Sequence, residues 1–163
     1  RRWKILIETS IMHKYIISDT SCLILFDKIG ALELLNKIYG KIIITPEVAE
    51  EYGSELPDWI NTVPVKNKAK QQEFENLVDY GEASAIALAL EVADSILIID
   101  DKRGRTLAHK LKIDITGTLG TLLKAKQQNI IPKIKPLIEK LRQIDYRISK
   151  DIEEGILKKA GEF

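Results

Sequence analysis

The sequence holds one cysteine, one methionine and two histidines in 163 residues. A lone Cys22 excludes an internal disulfide and a cysteine-based zinc cluster, and it suits a reducing compartment, the cytoplasm. His13 and His109 have no evident pairing with Cys22, so a Cys–His nucleophile is absent and the thiol reads as a buried structural one. Aromatic residues make up 6% of the chain, too sparse for the interleaved stacking platforms of single-strand binders. No apolar run approaches the roughly 20 residues of a membrane span. Neither sign of charge dominates: 25 Lys+Arg face 24 Asp+Glu, a formal net charge of +1. That is not the strongly basic profile of a sequence-blind polyanion binder, although bound metal ions would add positive charge that the count omits.

What remains is an alternation of short apolar runs and amphipathic stretches. Residues 15–18, 41–45, 62–65, 95–99 and 113–116 read as strands, several apolar on both faces, as in a parallel sheet covered on each side. Helical patterns fall at 23–29, 31–38, 46–52, 68–78, 82–93, 104–111 and 118–126. Pro46 suits a first helical turn, where a missing N–H costs nothing. The expected fold is a three-layer α/β/α domain with a central, mostly parallel sheet of about five strands, plus a C-terminal helical tail. Its expected division is a domain over 13–129 and a helical extension over 130–160. In that extension Ile134, Leu137, Ile138, Leu141, Ile144 and Ile148 repeat at helical spacing, a stripe that packs on the domain or on a partner. Residues 1–11, ahead of the only methionine at 12, read as an upstream or vector-derived extension, and Gly161-Glu162-Phe163 could be an added tail. Neither enters the functional reading.

Ligands of open parallel sheets bind beyond the carboxyl ends of the strands, and acids gather there. Asp19 follows the first strand, Asp100 and Asp101 close the fourth, Glu51 lies on the helix after the second, and Glu82 opens the helix after Gly81. Neighbouring carboxylates repel and raise one another's pKa unless something neutralises them. A hard divalent cation does so through oxygen ligands, and one or two such ions activate water and stabilise a phosphodiester in transit. Each acid also has an ordinary reading. Asp19-Thr20-Ser21 alone fits a turn and N-cap equally well, Glu82 alone a first-turn acid complementing the helix dipole, and Glu47, Glu50 and Glu51 a solvated face. Two acids closing an apolar strand are harder to explain that way, and the conjunction favours a metal site.

The ordered motifs Ile16-Ile17-Ser18-Asp19-Thr20-Ser21, Thr45-Pro46-Glu47-Val48-Ala49-Glu50-Glu51, Gly81-Glu82-Ala83-Ser84-Ala85, Ile98-Ile99-Asp100-Asp101 and Gly117-Thr118-Leu119-Gly120 resemble PIN domains, most closely the branch related to VapC-type toxins. The resemblance runs from about Tyr15 to Asn129. It implies Asp19, Glu82 and Asp101 as metal ligands, Glu51 as the second acid of a Val-x-x-Glu pattern beginning at Val48, and Asp100 as a catalytic accessory or alternative to Asp101. Glu47 and Glu50 compete with Glu51 by position. The implied activity is Mg²⁺- or Mn²⁺-dependent endoribonucleolytic cleavage of RNA, with Thr20 and Ser21 as supporting hydroxyls. Thr118 is placed to hold a phosphate with nearby helix N–H groups, or simply to open a turn. Arg105, in the basic stretch after the Asp pair, is placed to touch an RNA phosphate. Implied partners are an antitoxin protein covering the site and a homodimer contact, with the tail as either dock.

Two other classes compete. A catalytically silent PIN-like protein- or RNA-binding module would keep the fold without the chemistry. A phosphoacceptor signalling domain also clusters Asp residues at a sheet edge, but here the pair comes late and no lone Asp follows a middle strand.

Overall fold

The computed structural model describes residues 15–163; the expected extension over 1–11 and His13 lie outside them. Five parallel strands form the sheet, in the order β3-β2-β1-β4-β5. They are β1 (Tyr15–Ser18), β2 (Ile42–Ile44), β3 (Ile60–Thr62), β4 (Ser95–Ile98) and β5 (Asp114–Thr116). Among the described residues nine helices connect and follow them: α1 (Thr20–Lys28), α2 (Leu32–Tyr39), α3 (Pro46–Tyr52), α4 (Lys68–Glu75), α5 (Tyr80–Glu91), α6 (Lys102–Lys110), α7 (Thr118–Gln127), α8 (Lys135–Gln143) and α9 (Lys150–Ala160). None is long and apolar enough to cross a membrane. This is the expected α/β architecture.

Strand alternation divides the core between the two faces of the sheet. Ile16, Ile42, Ile44 and Ile98 pack with Phe26, Leu35, Leu122, Ile138 and Leu141 on one side. Ile17, Leu97 and Ile99 pack with Phe74, Ile86 and Ala108 on the other. Helix α5 is buried from Gly81 through Ala89, and its run of alanines fits because small side chains let it approach the sheet closely.

Several boundaries differ from the sequence expectation, and four of them have a local reason. Strand β3 ends at Thr62, with Val63 N–H giving a bond to Ile44 O at 2.8 Å; Pro64 has no N–H and cannot extend the ladder. Helices α1 and α6 begin at Thr20 and Lys102, three and two residues ahead of the positions read from the apolar pattern, because Asp19 and Asp101 cap them. The tail is two helices, not one, separated by a turn in which Asp145 takes φ 66° and Tyr146 N–H bonds Leu141 O at 3.0 Å.

Ile134, Ile138, Leu141 and Leu157 of the tail are buried in the first core. Its end is tied in by Glu162, whose carboxylate accepts from the amides of Ile134 (2.7 Å) and Lys135 (3.1 Å) and from Lys126 Nζ (2.9 Å). Set aside in the sequence, Glu162 thus neutralises the N-terminus of α8.

Candidate active site

Strand order reverses direction between β1 and β4: β2 and β3 extend the sheet from one side of this pair and β5 from the other. The two strands run in register, Ser18 beside Ile98, and the amide of Asp19 bonds Ile98 O at 3.1 Å. Asp19, Asp100 and Asp101 therefore leave the sheet side by side, at the crevice where parallel folds bind ligands.

Asp19 is fully buried. Its Oδ1 accepts the Cys22 amide at 2.9 Å, capping α1, while Oδ2 is buried with no partner. Burial pushes its carboxyl up to about 7, against the Cys22 amide, and the charges of Asp100 and Asp101 add to the rise. Glu82, also buried, sits in the first turn of α5. Its carboxyl rises to about 7 as well, through burial first and then the charges of Asp101, Asp19 and Asp79. Asp101 is exposed and gives one oxygen to the Gly104 amide at 3.0 Å. Asp19 thus feels the charge of Asp101, and Glu82 the charges of Asp101 and Asp19, as carboxylates short of a counter-ion do. Among the described residues, however, no set of three or more His, Cys, Asp or Glu side chains stands in position to hold a metal ion unaided.

Glu51 joins from the margin. Thr20 Oγ1 donates to its Oε1 at 2.6 Å. Glu47 turns instead toward Gln71 (2.7 Å) and Lys68 (3.5 Å), and Glu50 is exposed. Gly81 makes the Glu51 approach possible: a Cβ there would lie 2.0 Å from Glu51 Oε1 and 2.9 Å from Thr20 Oγ1. Ser21 is exposed on the first turn of α1.

A PIN-domain family profile matches residues 15–162. The chain belongs to the PIN-domain family. Membership points to nuclease-type function, and it covers the tail as well as the motif-bearing part. No curated protein and no solved structure matches the chain.

Within this PIN domain Asp100 occupies a different position from its neighbour. Its Oδ1 accepts the Thr118 amide at 2.9 Å, and its Oδ2 accepts the Thr118 hydroxyl at 2.5 Å and the Cys22 thiol at 3.5 Å. Thr118 is thus engaged by Asp100, and the carboxylate ties β4 to α7 and α1. Burial pushes the Cys22 thiol well up, with Asp19 and Asp100 adding to it, so it stays protonated and inert. Arg105 Nη1 donates to Ile99 O at 2.8 Å, which holds its guanidinium beside Asp100 and Gly117.

Sequence reading missed two contributors to this PIN-domain site. Gly81 carried a signal, since a glycine directly before a helix acid invites the question of what approaches it. Tyr146 carried none: it comes from the tail, 46 residues beyond Asp100 by their numbers, and only the fold places its hydroxyl against Asp100 and Thr118.

Proposed function

We propose that this PIN domain is a metal-dependent endoribonuclease that hydrolyses RNA phosphodiesters. The observation that carries the reading is the buried, unpartnered Oδ2 of Asp19, next to carboxyls lifted to about 7 by burial and mutual repulsion. A buried anionic oxygen without a donor is costly, and a divalent cation is the partner that would relieve it. The donor chemistry fits Mg²⁺ or Mn²⁺: all-oxygen ligands, few in number, with water and substrate phosphate completing the shell. Asp19, Glu82 and Asp101 would hold it, and its contribution would be to acidify a water and to take up charge on the phosphodiester.

The chain's own residues do the positioning. Using Asp19 and Asp101 as helix N-caps fixes both carboxylates to the ends of the central strands. Thr20 fixes Glu51, which is placed to orient a water or accept its proton. Asp100 is a positioning residue, its oxygens taken by α7 and α1. Arg105 supplies positive charge at the phosphate side of the acids.

The finer proposal is a VapC-like toxin working in the cytoplasm, with a small antitoxin covering the site and homodimerisation through the tail. Co-purification from the native source should recover a small partner, and recovery of the chain without one would count against the toxin assignment. The nuclease itself is tested on a mixed single-stranded RNA panel with EDTA, Mg²⁺ or Mn²⁺, comparing wild type with Asp19→Asn. Metal-dependent products lost in the variant support it; metal-dependent cleavage retained by the variant rejects the site.

One observation favours a second reading, a silent binding module: among the described residues no three acids stand in position to hold a metal ion, and two of them already serve as caps. Calorimetric titration with Mg²⁺ separates the two, since a module without a site gives no heat that depends on Asp19.

A further inference from the structure

Beside Asp100, the C-terminal tail lines a cavity of about 410 Å³. Its walls are Asp100 and Arg105 from the carboxyl end of β4 and α6, Gly117 and Gly120 from α7, and Tyr146 and Ile152 from the tail. It shares Asp100, Arg105 and Ile115 with a second cavity of about 490 Å³, lined further by Lys102, His109 and Lys110. Asp100, which adjoins the ligand candidate Asp101, is the one acid that lines both.

The lining is sorted by chemistry. Arg105, Lys102 and Lys110 bring three cations together in a chain whose net charge is only +1. Tyr146 contributes a half-buried ring, and Ile152, 57% exposed, an apolar wall that the core does not use. Between them Gly117 is tightly packed: a Cβ there would lie 2.5 Å from Asp100 Oδ1 and 3.1 Å from Arg105 Nη1, so a larger residue would displace the carboxylate and the guanidinium from the cavity wall. A cavity of a few hundred cubic ångströms with few polar anchors and an apolar wall suits one small organic unit. Cations along one edge and a ring on another are the pairing that single-stranded nucleic acid requires.

We propose that the cavity between the tail and the ends of β4 and β5 is the subsite for a nucleotide adjoining the scissile phosphodiester, with Arg105 taking a phosphate and the Tyr146 ring and Ile152 taking the base. The inference rests on the nuclease reading for its substrate but not for its geometry. It makes the helical tail part of the substrate-reading surface, and Tyr146 and Ile152 the residues that set base preference.

The test uses full-length protein in two arms. In the first, the Asp19→Asn chain is photo-crosslinked to a mixed-sequence 12-nucleotide RNA carrying 4-thiouridine, and the adducts are mapped by mass spectrometry. Adducts on Tyr146 or the α9 peptide are expected; adducts confined to other faces, or no RNA binding, overturn the subsite. In the second, Tyr146→Ala and Ile152→Glu in the otherwise wild-type chain are expected to raise KM about tenfold, the loss of one stacked base, and to alter cleavage positions, with kcat within about twofold in Ile152→Glu. Tyr146→Phe keeps the ring and should recover most of the loss. Ile152 is largely exposed, so Ile152→Glu keeps the test alive if Tyr146→Ala does not fold. An unchanged KM in both variants, with metal-dependent cleavage intact, sinks the subsite and leaves the nuclease standing. A wild type that cleaves nothing, while the Asp19→Asn chain crosslinks at Tyr146, keeps the subsite and sinks the nuclease.

Discussion

Replacing Asp19 with Asn should stabilise the metal-free protein while abolishing any activity it has. The cap survives, because Asn and Asp are equivalent N-cap residues and the Asn carbonyl can accept the Cys22 amide that Oδ1 now accepts at 2.9 Å. The penalty disappears, because the second oxygen is buried without a partner and an amide NH₂ in its place faces neighbouring carboxylates as a donor. The sign follows from linkage. A carboxyl lifted from 3.8 to about 7 holds its proton in the native state over a range where the unfolded chain has released it, so stability falls as pH rises from about 4 to about 7. Above that window the difference corresponds to about 4 kcal/mol, and below about pH 4, where both states are protonated, it vanishes. With a urea dependence of about 2 kcal/mol per M for a small domain, the variant's midpoint in EDTA should exceed wild type by about 1–2 M at pH 8.5 and coincide with it near pH 3.5. Circular dichroism across that pH series measures it. Adding Mg²⁺ should lift wild type and leave the variant unmoved. A variant less stable at pH 8.5, or a gap that ignores pH, would refute the view of Asp19 as an uncompensated buried acid.

Gly81→Ala drives a methyl into Glu51 Oε1 and Thr20 Oγ1. Helix propensity favours Ala by about 1 kcal/mol, so melting should shift by only a few degrees while RNA cleavage falls tenfold or more; full activity would remove Glu51 from the site. Lys112 ends α6 at φ 60°, a conformation that costs a side-chain-bearing residue about 1 kcal/mol, so Lys112→Gly should raise the urea midpoint slightly, and a lowered midpoint would contradict this. Glu162 is held below the usual carboxylate range: burial raises it, but the Ile134 amide, Lys126 and the Lys135 amide outweigh that. The stability it gives is present above the ordinary Glu pKa and is lost as pH falls through its lower native value. Glu162→Gln should therefore cost about 1 kcal/mol at pH 7 and little near pH 3, as thermal melts at both values would report.

The layered fold and the strand-end acids were legible because hydrophobic period and strand-end position are local properties of sequence. Pro46 marked the start of α3 where it is observed. The misplaced start of α1 has a shared cause with the site itself: Asp19-Thr20 reads as a loop when apolar residues alone are counted, although the helix begins there to capture Asp19. Asn61 shifted the reading of β3, taken to start at 62 and observed from Ile60, since a polar residue in a three-residue strand breaks the expected texture. Apart from the resemblance, the distinction between Asp100 and Asp101 was not legible, because adjacent residues of one type diverge only when α6 and α7 offer each a different amide. Nor was Tyr146, whose approach depends on the αL turn at Asp145 between two helices that read as one stripe.

The pairing of β1 with β4 also governs how the site meets the rest of the molecule's motions. Asp19 and Asp100 grow from the two central strands, stitched to each other and, through Ile99 N–H to Thr116 O at 2.8 Å, to β5. Such strands open only with the whole domain, so their amides should be among the slowest to exchange with solvent. The acids therefore cannot drift apart to ease their repulsion. Their strain is frozen in at folding, and a ligand that cancels it recovers that free energy without having to order any chain.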